Sequence, residues 1–255
     1  MTNWLRAVLC CTWLFMPGMT ALAEPLTVAV AADLKFAMLD IAAAYQQANP
    51  GSKVGVIAGS SGKFYQQIVN GAPFDVYFSA DIDYPHKLKE QGLVVGEVKT
   101  YAYGQLALWS ATLPVAGGLG ILADAKYRKV AIANPEHAPY GKRAKDSLAY
   151  YGLLDKVAPK LVLGENVSQA AQFAASGAAD AAIIALSLAL SPGMQGKGSY
   201  FLIDERSYPP LEQGYVVLKR AANNPDAARF GNYITTTEVQ AILRKYGFHL
   251  PGAAR

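Results

Sequence analysis

The stretch Leu26–Ala48, LTVAVAADLKFAMLDIAAAYQQA, decides the fold. LTVAVAA is a short apolar run suited to a strand. Asp33 leads from it into LKFAMLDIAAAYQQA, whose apolar residues recur at three- and four-residue spacing and therefore predict a helix. The unit of strand, turn and helix then recurs. KVGVIAG passes through Ser60-Ser61-Gly62 into KFYQQIVNG, and FDVYFSA passes through Asp81 into DYPHKLKEQG. After YAYGQLALWS the pattern restarts, with KVAIANP leading to a helix around YGKRAKDSLAYYG and KLVLGEN leading to VSQAAQFAASG. DAAIIAL reads as a further buried strand, YFLIDE and GYVVLKR complete the strands, and PDAARFGNYITTTEVQAILRKYG supplies terminal helices. Alternation of this kind implies parallel sheets covered by helices.

Two α/β sets of roughly 100 residues each suit this chain better than one continuous sheet. The expected crossings lie near Gly104 and Leu211, which gives a first, discontinuous domain of residues 24–104 and 212–255 and a second of residues 105–211. Two connecting strands would join them and leave a cleft between. No solenoid repeat and no low-complexity tract interrupts this order.

Ahead of the first strand, MTNWLRAVLCCTWLFMPGMTALA carries Arg6 as its only charged side chain, then an apolar run, then Ala21-Leu22-Ala23 before Glu24. That is the layout of a cleavable signal peptide over residues 1–23. A membrane anchor is the competing reading, but the run is short and broken by Pro17 and Gly18. Both cysteines, Cys10 and Cys11, fall in this segment and lack the small residues that precede a bacterial lipidation site, so the exported domain is expected to fold without disulfides. Loss of Arg6 lowers the net charge of +4 by one unit, too little and too evenly spread for nucleic-acid binding. A protein soluble outside the cytoplasm is expected.

Enzyme motifs are missing from the pattern. His86, His137 and His249 share no metal-ligand spacing. Gly59-Ser60-Ser61-Gly62 lacks the spacing of a nucleophile elbow, and Lys63 is followed by Phe64 where a phosphate loop needs Ser or Thr. Asp81 and Asp83 suit a helix cap better than a metal, and Tyr150 and Tyr151, inside a helical pattern, read as packing residues. What remains is a recurrence: β-runs end and helices begin at Asp33, Ser61, Tyr140 and Val167. In a parallel sheet such turns lie at the carboxyl ends of the strands, where open α/β folds bind ligands. Each helix start leaves backbone N–H groups unpaired and carries partial positive charge. Several of them facing one cleft hold an anion without any Lys or Arg.

The segments VAVAADLKFAMLDIA, GSSGKFYQQIVNGAPFDVYFSAD, NPEHAPYGKRA, GENVSQA and KYGFHLP together resemble the periplasmic molybdate-binding proteins of bacterial ABC importers, a family with the type II periplasmic binding-protein fold. The resemblance covers almost the whole chain after the signal peptide. It implies an oxyanion cage in which Ser61 donates through its hydroxyl and N–H, Ala32 and Asp33 present N–H groups, and Tyr140 and Val167 supply backbone donors from the second domain. Ser60, Lys35 and Ala185 are secondary candidates. It further implies molybdate or tungstate as ligand, with the metal centre held only through its oxygens, no cofactor, no enzymatic turnover, a membrane permease as partner, a monomer and a periplasmic location.

Two departures bear on the ligand. Many relatives carry a side-chain donor at the Asp33 position, whereas an ionised Asp accepts only and repels a dianion. Either Asp33 caps its own helix, the reading favoured here, or Lys35 offsets its charge, or the ligand differs. Ala185 stands where some relatives place a tyrosine hydroxyl. The rival readings are a binding protein for another oxyanion or a metal ion, an exported metal-dependent enzyme built on Asp33, Asp81, Asp83 and His137, and a sensory domain for the same anion.

Overall fold

The computed structural model describes residues 25–252, so the signal-peptide reading of residues 1–23 lies outside the described residues. The first lobe is built from β1 (Leu26–Ala31), a 3-10 turn (Ala32–Leu34), α1 (Lys35–Ala48), β2 (Val54–Gly59), α2 (Ser61–Val69), β3 (Val76–Ser79), α3 (Asp83–Glu90) and β4 (Val94–Gly104). The second holds β5 (Leu106–Ser110), β6 (Val130–Ala133), α4 (Pro139–Tyr150), α5 (Leu154–Val157), β7 (Leu161–Gly164), α6 (Val167–Ala175), β8 (Ala181–Ala185), α7 (Leu186–Ala189) and β9 (Ser199–Leu202). The chain then returns to the first sheet through β10 (Leu211–Leu218) and ends in α8 (Pro225–Tyr233) and α9 (Thr237–Lys245).

Each lobe has one five-stranded sheet, in the orders β2-β1-β3-β10-β4 and β7-β6-β8-β5-β9. The sheets are mixed, where the alternation of strands and helices predicted parallel ones. β1 runs parallel to β2 and β3, as β6 does to β7 and β8, but β10 is antiparallel to β3 and β4, and β5 is antiparallel to β8 and β9. The reason is topological. The chain leaves the first sheet along β4 and comes back along β10, and Gly104 faces Leu211 at the junction, so the two crossing strands must run in opposite directions. With this connectivity the carboxyl ends of β1, β2 and β3 and of β6 and β7 all abut the space between the lobes.

The centre of the first sheet, β1 and β3, is buried on both faces, and β1 shows why its sequence is apolar throughout. Leu26, Val28 and Val30 pack with Met38, Ile41 and Tyr45 of α1 and with Phe230 and Leu243, whereas Ala29 between them faces Phe64, Ile68 and Leu88 on the other side. Burying each of these larger side chains contributes about 1.5–3 kcal/mol. Tyr45 also ties α1 to α8, its hydroxyl donating to Asp226 Oδ1 at 2.6 Å while its ring meets Phe230 edge-on at 5.0 Å. The second lobe has one core, around Leu108, Ile132, Ile183 and Ile184, and it extends to Ala31, Ala32 and Ala80 of the first lobe. Tyr150 and Tyr151 do not pack into it: they are exposed and rest ring against ring at the end of α4, correcting their reading as packing residues. Among the described residues no helix is long and apolar enough to cross a membrane.

Candidate functional site

Five chain segments meet at one place. The turn at Ala31–Asp33, Gly59–Ser61 and Ala80 of the first lobe meet Ala138–Tyr140, Asn166 and Val167 of the second around a cavity of about 10 Å³ open to the centre of a water molecule. That is the scale of a single small group rather than an organic ligand. A larger groove of about 810 Å³, beside Leu119, Phe201 and His249, shares no residue with it and receives none of these helix starts.

The small cavity is rich in donors. Ser61, Tyr140 and Val167 open α2, α4 and α6 and are almost fully buried. Being in the first turn, their N–H groups have no partner inside their helices, and they find no acceptor among the described residues. Asn166 caps α6 by accepting from Gln169 N at 3.1 Å, which leaves the Val167 N–H open. Pro139 fixes the start of α4 without an N–H of its own, so Tyr140 presents the first one. The Ser61 hydroxyl accepts from Ala80 N at 3.0 Å, and the Ser61 carbonyl accepts from Tyr77 at 2.7 Å. With its acceptor role engaged, the Ser61 O–H proton remains available to donate. Ala32, Asp33, Ser61, Tyr140 and Val167 thus lie together. Lys35 and Ala185 do not line the cavity: the Lys35 ammonium sits over the Phe36 ring, and Ala185 closes β8 opposite Leu106.

Asp33 behaves differently from a helix cap. Neither the 3-10 turn nor α1 has a side-chain cap hydrogen bond, so Asp33 does not cap α1 as expected, although the Asp33 and Leu34 N–H groups at the turn still act on its carboxylate. Lys35 does not offset it either. Its Oδ2 instead accepts from Gln213 Nε2 at 2.7 Å and from the Tyr140 hydroxyl at 3.0 Å, partners drawn from β10 and from the other lobe. Its Oδ1 is buried and has no hydrogen-bond partner. Desolvation raises the Asp33 pKa to about 6, against the lowering effects of the Gln213 and Tyr140 hydrogen bonds and, less, of the Asp33 and Leu34 backbone N–H groups.

The lobes are latched across the cleft. Gly62 N donates to His137 O at 2.9 Å, and the Ser60 hydroxyl donates to the same carbonyl at 2.5 Å and lies 2.9 Å from His137 Nδ1. Ser60 is therefore engaged in the latch. Ser168 and Ser187 of the second lobe donate to the Ala32 and Asp33 carbonyls at 3.0 and 2.8 Å. These contacts, with Gln213 and the Tyr140 side chain, were not reached from the sequence. A polar Gln213 amid the apolar β10 was their one available signal. Burial lowers the His137 pKa, which favours its neutral form at the latch. Lys63 and Glu165 pair at 3.2 Å across the mouth, both about half exposed. An exposed pair contributes about 0–1 kcal/mol, so Lys63→Ala should weaken ligand binding by less than about fivefold. Titrations at low and high salt check this, and the deficit should shrink with added salt.

Asp81 Oδ1 accepts from Asp83 N at 3.0 Å, a turn contact that opens α3. Among the described residues, no three His, Cys, Asp or Glu side chains gather as a metal site.

Comparison with known proteins shows the family. Residues 26–249 match the family model described as bacterial extracellular solute-binding protein. The molybdate-binding protein ModA of Azotobacter vinelandii is 38% identical over 232 residues, covering 90% of this chain and 92% of that protein. The protein of the same name from Rhodobacter capsulatus is 37% identical, covering 91% and 90%. The solved structure of the Azotobacter vinelandii periplasmic molybdate-binding protein superposes with a TM-score of 0.84 at 36% identity, covering 89% of this chain and 99% of that one. With a two-lobed α/β fold, a cavity ringed by helix starts and relatives this similar over nearly their whole length, the chain belongs to the bacterial extracellular solute-binding protein family, and within it to the molybdate-binding proteins.

Proposed function

We propose that this chain captures molybdate outside the cytoplasmic membrane, closes its two lobes around the anion and hands it to the permease of an ABC importer. One observation carries the reading: buried N–H groups of Ser61, Tyr140 and Val167, from both lobes, converge on one small cavity without protein acceptors. Aligned helix dipoles add to their pull on a dianion, and no Lys or Arg lines the cavity. Charge is thus met by polarity. Because the donors come from both lobes, the anion completes its shell only on closure, and binding and closure are one event.

A fixed cage of donors selects by size and protonation. A smaller tetrahedral anion such as sulfate leaves its hydrogen bonds stretched, and each bond to a charged group contributes about 1.5–3 kcal/mol. Tungstate, nearly the size of molybdate, should bind comparably. Capture by hydrogen bonds needs no cofactor and involves no turnover. The similarity to periplasmic relatives and the signal-peptide layout of residues 1–23 support a periplasmic location.

Calorimetric titration of the mature chain with molybdate, tungstate and sulfate tests the proposal. Tight binding of the first two and weak binding of sulfate is expected, and equal binding of sulfate would remove the specific claim. Ser61→Ala deletes a buried donor to a charged acceptor and should weaken molybdate binding by about 1–3 kcal/mol. Unchanged affinity in that variant would take Ser61 out of the cage.

A further inference from the structure

Asp33 lines the cavity that the proposed function assigns to a dianion, and an ionised carboxylate there opposes binding. Its hydrogen bonds show how the conflict resolves. Tyr101 donates to Gln213 Oε1, which turns Gln213 Nε2 toward Asp33, and the Tyr140 hydroxyl donates to the same Asp33 oxygen. Oδ2 is therefore an acceptor for two donors and is a poor place for a proton. Oδ1 is fully buried and makes no hydrogen bond, the Asp33 and Leu34 N–H groups only lowering the carboxyl's pKa slightly, and Asp33 lines the cavity. A buried oxygen left bare is costly, and a proton on Oδ1 would turn it from an orphan acceptor into a donor.

We propose that, in the loaded state, Asp33 is a neutral carboxylic acid whose Oδ1–H donates to an oxygen of the bound oxyanion. The inference rests on the oxyanion reading above and adds a proton to it. Among the described residues no other charge near Asp33 performs this service. From the turn and α1, the Lys35 ammonium lies over Phe36. At the mouth Lys63 is paired with Glu165, and His137, held toward its neutral form, belongs to the latch. From β4 and α4, Tyr101 and Tyr140 are pushed well above their ordinary range by burial and stay neutral. On β10, Glu212 is bound to Thr100 Oγ1 at 2.8 Å, and α7 offers only the Ser187 hydroxyl, donated to the Asp33 carbonyl. The first turn of α6, Val167-Ser168-Gln169, and all of β2 contain no ionisable group.

The sign follows from where the proton is held. With the lobes closed, burial lifts Asp33 to about 6, and a dianion beside it raises it further. Below the pKa that Asp33 has with the lobes apart, where there is less burial to raise it, the acid is formed before binding and affinity should be flat with pH. Above it each binding event takes up one proton, so affinity should fall about tenfold per pH unit.

Calorimetry of the mature chain with molybdate, between pH 6 and 8.5 and in two buffers of different ionisation enthalpy, counts that proton directly. Uptake approaching one proton per anion at pH 8 is expected in the wild type. Asp33→Asn, with a permanent donor in the same shape, should take up none, show no slope, and bind at least as tightly as the wild type at pH 8. Tight wild-type binding that is flat with pH and takes up no proton would overturn the inference and leave the molybdate reading standing. The same slope in Asp33→Asn would assign the proton elsewhere and also overturn it. Preference for a proton-bearing oxyanion such as hydrogen phosphate, without uptake, would make Asp33 an ionised acceptor instead. Absence of molybdate binding at every pH in both proteins would remove the proposed function, and the proton with it.

Discussion

Gly62→Ala is expected to weaken molybdate binding at least about 100-fold while leaving the ligand-free protein as stable as before. Gly62 is the second residue of α2 and touches the other lobe through its N–H bond to His137 O. A Cβ there would stand 2.7 Å from that carbonyl oxygen and 3.0 Å from His137 Cα, distances that backbone atoms do not yield to, and 2.8 Å from the Tyr84 hydroxyl. Only the last of these is within the first lobe, and a side-chain tip can swing aside. With the lobes apart, Ala in a helix is favoured over Gly by about 1 kcal/mol, so the ligand-free melting temperature should hold or rise slightly. With the lobes together, the clash keeps the Tyr140 and Val167 N–H groups from reaching the anion held at Ser61, a loss of roughly 3 kcal/mol or more. Thermal melts with and without molybdate, beside calorimetry, read both halves. Near-native affinity would mean that the lobes do not close on the contact between Gly62 and His137.

The second large effect is on the fold. Gly141, in the first turn of α4, sits on the end of β6 so closely that a Cβ would lie 2.0 Å from Ala133 O and 2.7 Å from its carbonyl carbon. Gly141→Ala must push the start of α4 off the sheet. A cost of about 3 kcal/mol is expected, at the upper end for overpacking, which lowers the melting temperature by roughly 6–12 °C. The shift displaces the Tyr140 N–H as well, so binding should fail even in the folded fraction. Gly120→Ala, where nothing lies within 4 Å of the added Cβ, is the matched control and should change neither property. A Gly141→Ala protein as stable as that control would contradict the tight seating of α4 on β6.

Local features of the sequence carried much of this. Strands and helices were legible because apolar spacing and helix-opening residues are properties of short stretches, as in LTVAVAADLKFAMLDIA. The helix starts at Ser61, Tyr140 and Val167 stood out for the same reason. Strand direction was not legible, since β10 is antiparallel only because a whole lobe is inserted between it and β4. The fate of the Asp33 side chain was hidden more deeply. A local rule assigns it to its own helix, but its partners lie 107 and 180 residues away, at Tyr140 and Gln213, and only the closed fold brings them to it. The Tyr140 hydroxyl was missed likewise, because NPEHAPYG marks a helix start and says nothing of where the phenol goes. Tyr150 and Tyr151 satisfy a helical spacing yet face solvent, since a period alone does not say which face is covered.

The most direct test is a crystal of the mature protein grown with molybdate and measured at the molybdenum absorption edge. One anomalous peak is expected in the cavity between the two lobes, with the anion's oxygens about 2.7–3.2 Å from the N–H nitrogens of Ser61, Tyr140 and Val167. A peak elsewhere, such as the groove beside Phe201 and His249, or an anion held by lysine or arginine side chains, would contradict the account.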